Sequence, residues 1–295
     1  FASRSDGKLK FTVIDPLPFS DEEDRATGFG LRSINLGNNA DPIYFGIAAT
    51  NSVGDLQIIP FLDPAKESFL EYDLAKLTYT LANPKKPVVG LLSTLPMTAG
   101  FDPMTQQIRQ PWVVSDQLRQ LFDLRMLQPG LDKLEDDVQV LMLVHPKNLP
   151  DSTLYAIDQF ILKGGHAVIF ADPYAEMDQG DPADPMGGAP ADRASDLDRL
   201  FSAWGVGVDT GNVVGDDRFA LTVSGADGGP VRHLGIIGVT QDGMSQDDVV
   251  TSGLNVVNMA FAGHITQGKS AAAELTPLIQ SSDKAALIPV SRLAL

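Results

Sequence analysis

Five side chains in this sequence stand where an open parallel sheet would present its chemistry. They are Ser93 and Thr94, His145, and Asp172 with Tyr174, each pair or residue just past an apolar run that reads as a strand. In such sheets ligands sit beyond the carboxyl ends of the strands, where the direction of the crossovers switches. A histidine and a carboxylate at neighbouring strand ends can pass a proton between them, so His145 and Asp172 form a candidate acid–base pair. The plainer alternative is turn chemistry, because each precedes a proline, Pro146 and Pro173. The remaining histidines, His166, His233 and His264, are scattered without metal-ligand spacing.

Gly263-His264-Ile265-Thr266-Gln267-Gly268-Lys269-Ser270 matches the phosphate-loop pattern G-x-x-x-x-G-K-S. That loop works by opening a helix whose N–H groups face the phosphate. Here Ala271 to Leu275 gives barely one turn before Pro277, and the acidic strand ending at Asp172 comes earlier in the chain, not later. Nucleotide binding at Lys269 is therefore a minor alternative. From Asp172 to Asp196, the carboxylates Asp172, Glu176, Asp178, Asp181, Asp184 and Asp192 offer oxygen for a hard cation. They lack the one-residue alternation of a calcium loop and prolines interrupt them, so a solvated loop or lid is expected, with no metal and no cofactor. There is no G-x-S-x-G elbow. The chain has no cysteine, which removes disulfides, thiolate metal sites and thiol nucleophiles together, including the amidotransferase nucleophile.

The elements that must position these residues are clearest from Asp137 to Pro173. Val138 to Val144 is almost continuously apolar, the pattern of a strand buried on both faces of a parallel sheet. Pro150, Asp151 and Ser152 open a helix, where side-chain oxygens can cap the first turn. Leu154, Ile157 and Ile161, with Phe160, form its inward stripe, and Gly164-Gly165 stops it behind Lys163. A second strand, Ala167 to Phe170, follows. Upstream, Pro87 to Leu92 reads as a strand, and Val113 to Leu127 as a helix with Leu118, Leu121, Phe122 and Leu124 inward. Three parallel strands separated by two helices predict a doubly wound, mostly parallel α/β sheet. Beyond the acidic loop 174–194, Ser195 to Trp204 reads as a helix closed by Gly205, and short strands with Gly-rich turns follow.

The first 84 residues predict a smaller α/β domain, in part thioredoxin-like in outline but without a thiol, and residues 85–295 the sheet domain. Leu9 to Ile14 reads as a strand, and Ser20 with Glu23 as a capping box. Tyr44 to Thr50 and Leu56 to Phe61 read as a hairpin, and Phe69 to Leu81 as a helix ended by Asn83-Pro84. With 22 Lys+Arg against 38 Asp+Glu and a formal charge of -16, the surface repels phosphate backbones, so nucleic acid is not an expected partner. No window reaches the ~18 apolar residues that span a bilayer, and the start lacks a signal-peptide pattern. The opening Phe1 and the apolar run Ile288 to Leu295 give the expectation of a piece cut from a longer protein.

A succession of phrases resembles the extracytoplasmic auxiliary components of ABC-type transport systems, the GldG-like family. They include Ile14-Asp15-Pro16, Phe69-Leu70-Glu71-Tyr72-Asp73-Leu74, Pro87-Val88-Val89-Gly90-Leu91-Leu92, His145-Pro146-Lys147-Asn148-Leu149, Asp172-Pro173, Ala203-Trp204-Gly205-Val206 and Ser252-Gly253-Leu254-Asn255. The resemblance implies a flavodoxin- or amidotransferase-like sheet, also similar to a domain of intraflagellar transport proteins. It implies a membrane-anchored protein, associated with gliding motility in the family's namesake, whose body is periplasmic or otherwise extracytoplasmic. It further implies permease and ATPase subunits as partners, and no catalytic residues to carry over. The expectation is a non-catalytic domain that binds a partner protein or an extracellular ligand through Ser93, Thr94, His145, Asp172 and Tyr174. The alternative is a carbohydrate- or small-molecule-processing hydrolase-like enzyme using His145 and Asp172.

Overall fold

The computed structural model describes residues 2–34, 42–102, 106–178, 192–225, 228–268 and 273–293. The chain divides into two compact units, Phe1–Lys86 and Pro87–Leu295.

In the first unit, helix α1 (Asp21–Gly28) starts where Ser20 accepts the Glu23 N–H at 3.3 Å, and the Glu23 carboxylate turns back to accept the Phe19 N–H at 2.6 Å. This is the expected reciprocal cap, displaced by one residue. Strands β1 (Ile47–Thr50) and β2 (Leu56–Ile59) pair antiparallel around a turn organised by Asn51. The Asn51 Oδ1 accepts the Val53 and Asp55 N–H groups, while its Nδ2 donates to Leu81 O at the end of helix α2 (Leu70–Ala82). The predicted strand Leu9 to Ile14 is not one: these residues pair with nothing in a sheet, and Phe11 and Val13 stand exposed. Alternation alone makes no strand where no neighbour supplies a ladder. Among the described residues of this unit only Ala26 and Leu77 are fully buried apolar side chains.

The second unit is built on four parallel strands: β3 (Val88–Ser93), β4 (Asp123–Leu127), β5 (Val140–Val144) and β6 (His166–Phe170), side by side in the order β6-β5-β3-β4. Val140 lies opposite both Val89 and His166, so β5 is flanked on both edges. Between β5 and β6 runs α4 (Asp151–Leu162), whose Ile157 is fully buried against Leu92, Leu141 and Leu143. On the opposite face Leu91, Met142 and Val144 meet Leu95, Met97 and Trp112. The two central strands read as continuous apolar runs because both their faces are covered. β6 is an edge strand, with Ala167 and Ile169 inward and Val168 and Phe170 exposed.

Several features differ from the sequence expectation, among them the helix expected from Ser195, which begins at Asp198. Helix α3 (Val113–Leu121) stops at Phe122, and Asp123–Leu127 is a strand, not the helix's last turn. Leu124 still faces inward, but its backbone is claimed by the ladder to Val89. No helix links β4 to β5; a loop crosses, burying Leu134 and Val138. No side chain caps α4: Pro150 occupies that position, and Asp151 pairs instead with Arg199. Its other end follows the sequence. Gly164 at φ +89° lets Gly164 and Gly165 donate to Ile161 O and Phe160 O, the two bonds that close a helix with a left-handed residue.

After α5 (Asp198–Trp204), closed by Gly205 at φ +77°, come β7 (Val206–Val208), β8 (Asn212–Asp216), β9 (Ala220–Ser224), β10 (Pro230–Thr240), β11 (Val256–Ala260), β12 (Ile265–Gln267) and β13 (Ala285–Pro289). They form the antiparallel sets β7-β12, β8-β13 and β9-β10-β11, the last enclosing Phe219, Ile237, Val239 and Met244. At the end of β8, Asp216 is 0% exposed, and its carboxylate accepts both the N–H and the Oγ–H of Ser282 at 2.7 Å, plus the N–H groups of Arg218 and Phe219. Burial alone would raise this carboxyl, but the bonds from Ser282, Phe219 and Arg218 outweigh it and hold it below the ordinary value.

Both tryptophans, Trp112 and Trp204, belong to the second unit, so their fluorescence reports its unfolding alone. Asp216→Ala strips the partner from several buried donors and should cost about 2 to 3 kcal/mol in urea titrations at neutral pH. Because the folded-state carboxyl is depressed, the Asp216 contribution is present above the unfolded carboxylate pKa and fades as pH falls through the folded value, so parent and variant should converge in acid. Gly164→Ala should cost about 1 kcal/mol, since alanine resists the left-handed backbone there.

Candidate functional site

Strands β3, β5 and β6 end side by side, and the residues just past them form one hydrogen-bonded cluster around His145. Its backbone is in the left-handed region, φ +49°, ahead of Pro146, and Asn148 follows at φ +51°. A residue before proline is sterically restricted, and strain of this kind persists only where the surroundings over-determine it. Here they do. The His145 N–H donates to Phe170 O at 2.9 Å, tying the end of β5 to β6. Its carbonyl accepts the Thr94 hydroxyl from the end of β3. The ring, 2% exposed, has Ser195 Oγ at 3.0 Å from Nδ1 and Asp178 Oδ2 at 3.1 Å from Nε2.

The direction of these bonds follows from the donor inventory. Lys147 Nζ donates to Asp178 Oδ2 at 2.6 Å, and the ammonium beside it favours an ionised carboxylate, which can only accept. Nε2 therefore carries the hydrogen, and in the neutral ring Nδ1 is then the acceptor for the Ser195 hydroxyl. Ser195 Oγ in turn accepts the Asp172 N–H at 2.8 Å, while the Ser195 N–H donates to Asp172 O at 2.8 Å. One chain of bonds thus runs from the Asp172 backbone through Ser195 and His145 to Asp178 and Lys147. Lys147 also donates to Asp192 O, and Ala175 N–H donates to Arg193 O at 2.9 Å. The near ends of the acidic segment, 174–178 and 192–194, are clasped together above β5.

A serine, a histidine and a carboxylate in hydrogen-bond sequence are the parts of a hydrolytic relay. Their placement here suits a clamp better. Ser195 is 5% exposed, its oxygen already accepts a backbone N–H, and it precedes α5 in a loop instead of topping a strand-to-helix elbow. The side chain of Asp172 does not reach His145. It accepts the Tyr174 N–H at 2.8 Å, and the two are joined only through Ser195, so the predicted direct proton pair is not formed. Burial raises the Asp172 carboxyl above the ordinary range; the Tyr174 N–H and His145 oppose the rise, and Glu176 adds to it.

Of the other predicted site residues, Thr94 joins the cluster through His145, whereas Ser93 closes a local turn with Leu95. Tyr174 packs edge-on against Phe261 with Arg193 over its ring. Lys147, Asp178 and Ser195 were not singled out by the sequence. Lys147 lay inside the His145-Pro146-Lys147-Asn148 phrase, Asp178 was one carboxylate in an acidic loop, and Ser195 looked like the start of a helix. Of the cation-site carboxylates, Asp181 and Asp184 lie outside the described residues, as do Lys269 and Ser270 of the phosphate-loop pattern; the part described, Ile265–Gln267, is a strand. Among the described residues no group of three acidic or histidine side chains is placed to hold a metal. No helix among them is long and apolar enough to cross a membrane.

Beside the cluster lies a cleft of about 440 Å³, lined by Ile169, Asp172, Phe201, Val208, Met259 and Ala260 among others. If Ser195 is a clamp, Ser195→Ala orphans both His145 Nδ1 and the Asp172 N–H. The variant should unfold about 2 kcal/mol more easily by tryptophan fluorescence. A variant as stable as the parent contradicts the clamp.

Residues 86–294 match a family described as ABC-type uncharacterized transport system, and residues 1–50 match a domain of unknown function. No curated protein and no solved structure matches the chain. The first match runs across the parallel sheet, the His145 cluster and the antiparallel strands behind them, which is well over half of the sequence, and by it this chain belongs to the ABC-type uncharacterized transport system family.

Proposed function

We propose that this chain is the non-catalytic body of an auxiliary subunit of an ABC-type transport system, held at the extracytoplasmic face of the membrane, and that it binds a partner protein or an extracellular ligand through its strand-end loops. The observation that carries the reading is the family match over 86–294. The His145 cluster supports it, because the residues best equipped for chemistry are buried and engaged in holding loops. Strand order β6-β5-β3-β4 supports a doubly wound, flavodoxin-like arrangement, in which the boundary between β3 and β5 is where recognition surfaces collect. The permease and the ATPase of the same system are the proposed partners, and the chain is proposed to act as a GldG-like subunit. The smaller unit then serves partner contact.

The test is recovery of partners from the native host. With the protein tagged at its chromosomal locus and membranes solubilised in mild detergent, mass spectrometry of the captured material should return an ABC permease and an ATPase above an untagged control. Recovery of neither, with the tagged protein itself recovered intact, overturns the proposal.

A further inference from the structure

The cleft beside Asp172 is not used by the His145 cluster. It opens at the carboxyl end of the edge strand β6, between Phe201 of α5, Val206 and Val208 of β7, and the end of β11 at Met259 and Ala260 with Ala262 and Gly263 leading to Ile265. Its volume lies within the range of small-molecule sites, which are mostly apolar with a few placed polar groups. Here the lining is aliphatic and aromatic side chains or small residues, and Asp172 is the one ionisable side chain in it. Asp172 Oδ1 accepts the Tyr174 N–H; among the described residues no donor meets Oδ2. That second oxygen keeps contact with solvent at the mouth of the cleft, where a cationic donor can replace water on it.

A second observation comes from the backbone. Phe261, between the lining residues Ala260 and Ala262, sits at φ +54°. It is fixed there by its N–H bond to Gly235 O at 2.8 Å, by the bond from Val214 N–H to Ala262 O, and by edge-on contacts with Tyr174 and His233. Left-handed backbone at an aromatic residue is stored strain, and such strain gathers where a wall must be held in a set shape. Here it turns the chain out of β11 and so sets the positions of Ala260 and Ala262, which line the cleft on either side of it.

We infer that this cleft is a binding site for a small, predominantly apolar molecule carrying a cationic amine, with the hydrocarbon between Phe201, Val208 and Met259 and the ammonium on Asp172. The sign of the charge follows from the carboxylate and from a surface that is -16 overall, which disfavours anions at the mouth. Burial that raises the Asp172 carboxyl works in the same direction, since a cation arriving there restores the ionised form. The inference rests on the reading of the strand-end loops as recognition surfaces. It is separable from it, because partner capture does not depend on the cleft being filled.

The experiment is calorimetric titration of the chain with phenethylammonium, with phenethyl alcohol and hydrocinnamate as neutral and anionic matches. The ammonium should bind, the alcohol more weakly, and the carboxylate not at all. Asp172→Asn retains an Oδ1 to accept the Tyr174 N–H and should weaken the ammonium about tenfold, the worth of one partly buried charge-assisted bond. Ala260→Trp, at an exposed position of the lining, should block all binding. Should Asp172→Asn not fold, Ala260→Trp and the three-ligand ranking decide alone. Equal binding of ammonium and carboxylate overturns the inference, as does undiminished ammonium binding to Ala260→Trp, which would mark a diffuse attraction to an acidic surface. Absence of phenethylammonium binding overturns it too. Each of these leaves the recovery of a permease and an ATPase as it was, whereas failure of that recovery leaves the titration unchanged.

Discussion

The second unit depends on how one strained histidine is held. His145 lies where β5 leaves the sheet, in a backbone conformation that a residue before proline resists, and all of its polar groups are engaged: N–H by Phe170, carbonyl by Thr94, and the two ring nitrogens by Ser195 and Asp178. Three strand ends and both ends of the acidic segment meet in those bonds. A polar network inside a protein stabilises only when fully satisfied, because each unpaired member carries its desolvation cost without return. This one is satisfied along its length, from a backbone N–H to a lysine. It therefore acts as a fixed joint, and the geometry of the rim above β5 and β6 is set by it.

Such a joint differs from an apolar one. Replacing a buried ion pair by well-fitted hydrocarbon often leaves stability unchanged or improves it, so Lys147 and Asp178, at 15% and 13% side-chain exposure, are not explained by stability alone. What they supply is direction. Hydrocarbon would accept several placements of residues 174–178 and 192–196, while a lysine bridging Asp178 and the Asp192 carbonyl accepts few. The Asp216 carboxylate plays the equivalent part elsewhere in the unit, joining β8 to the segment ahead of β13 through Ser282. In both places a charged group is buried only with a full set of partners.

Much of the parallel sheet could be read from sequence because its signals are local. Val140–Val144 and Val88–Leu92 carry no polar side chain, and the Gly164-Gly165 stop names its own backbone conformation. Asp123–Leu127 could not, because Leu124 and Leu127 suit a helix face as well as a strand, and only the ladder to β3 decides. The same holds in reverse for Leu9 to Ile14, whose alternation finds no partner. At the site, His145, Thr94 and Asp172 were legible as strand-end residues, since topology dictates where such ends collect. Their partners were not. Ser195 lies 50 positions from His145 and Asp178 lies 33, and nothing in composition tells which of several carboxylates a folded loop will bring back.

Asp172 shows what the joint leaves over. Its backbone is part of the clamp in both directions, through Ser195, whereas its side chain turns to Tyr174 and borders the cleft. The residue is thus split between two tasks: the main chain is immobilised by the same bonds that fix His145, and the carboxylate is held at a set position beside hydrocarbon. A charged group on a free loop would relax toward water and lose the burial that raises its pKa. Fixing the backbone from behind denies it that escape, so the strain at His145 and the raised carboxyl at Asp172 are two expressions of one constraint. Recognition at this rim, whatever it engages, meets a carboxylate that arrives already positioned and only partly hydrated. That is the condition under which one ionic contact contributes most to binding, because less water must be removed and less motion lost when the partner arrives.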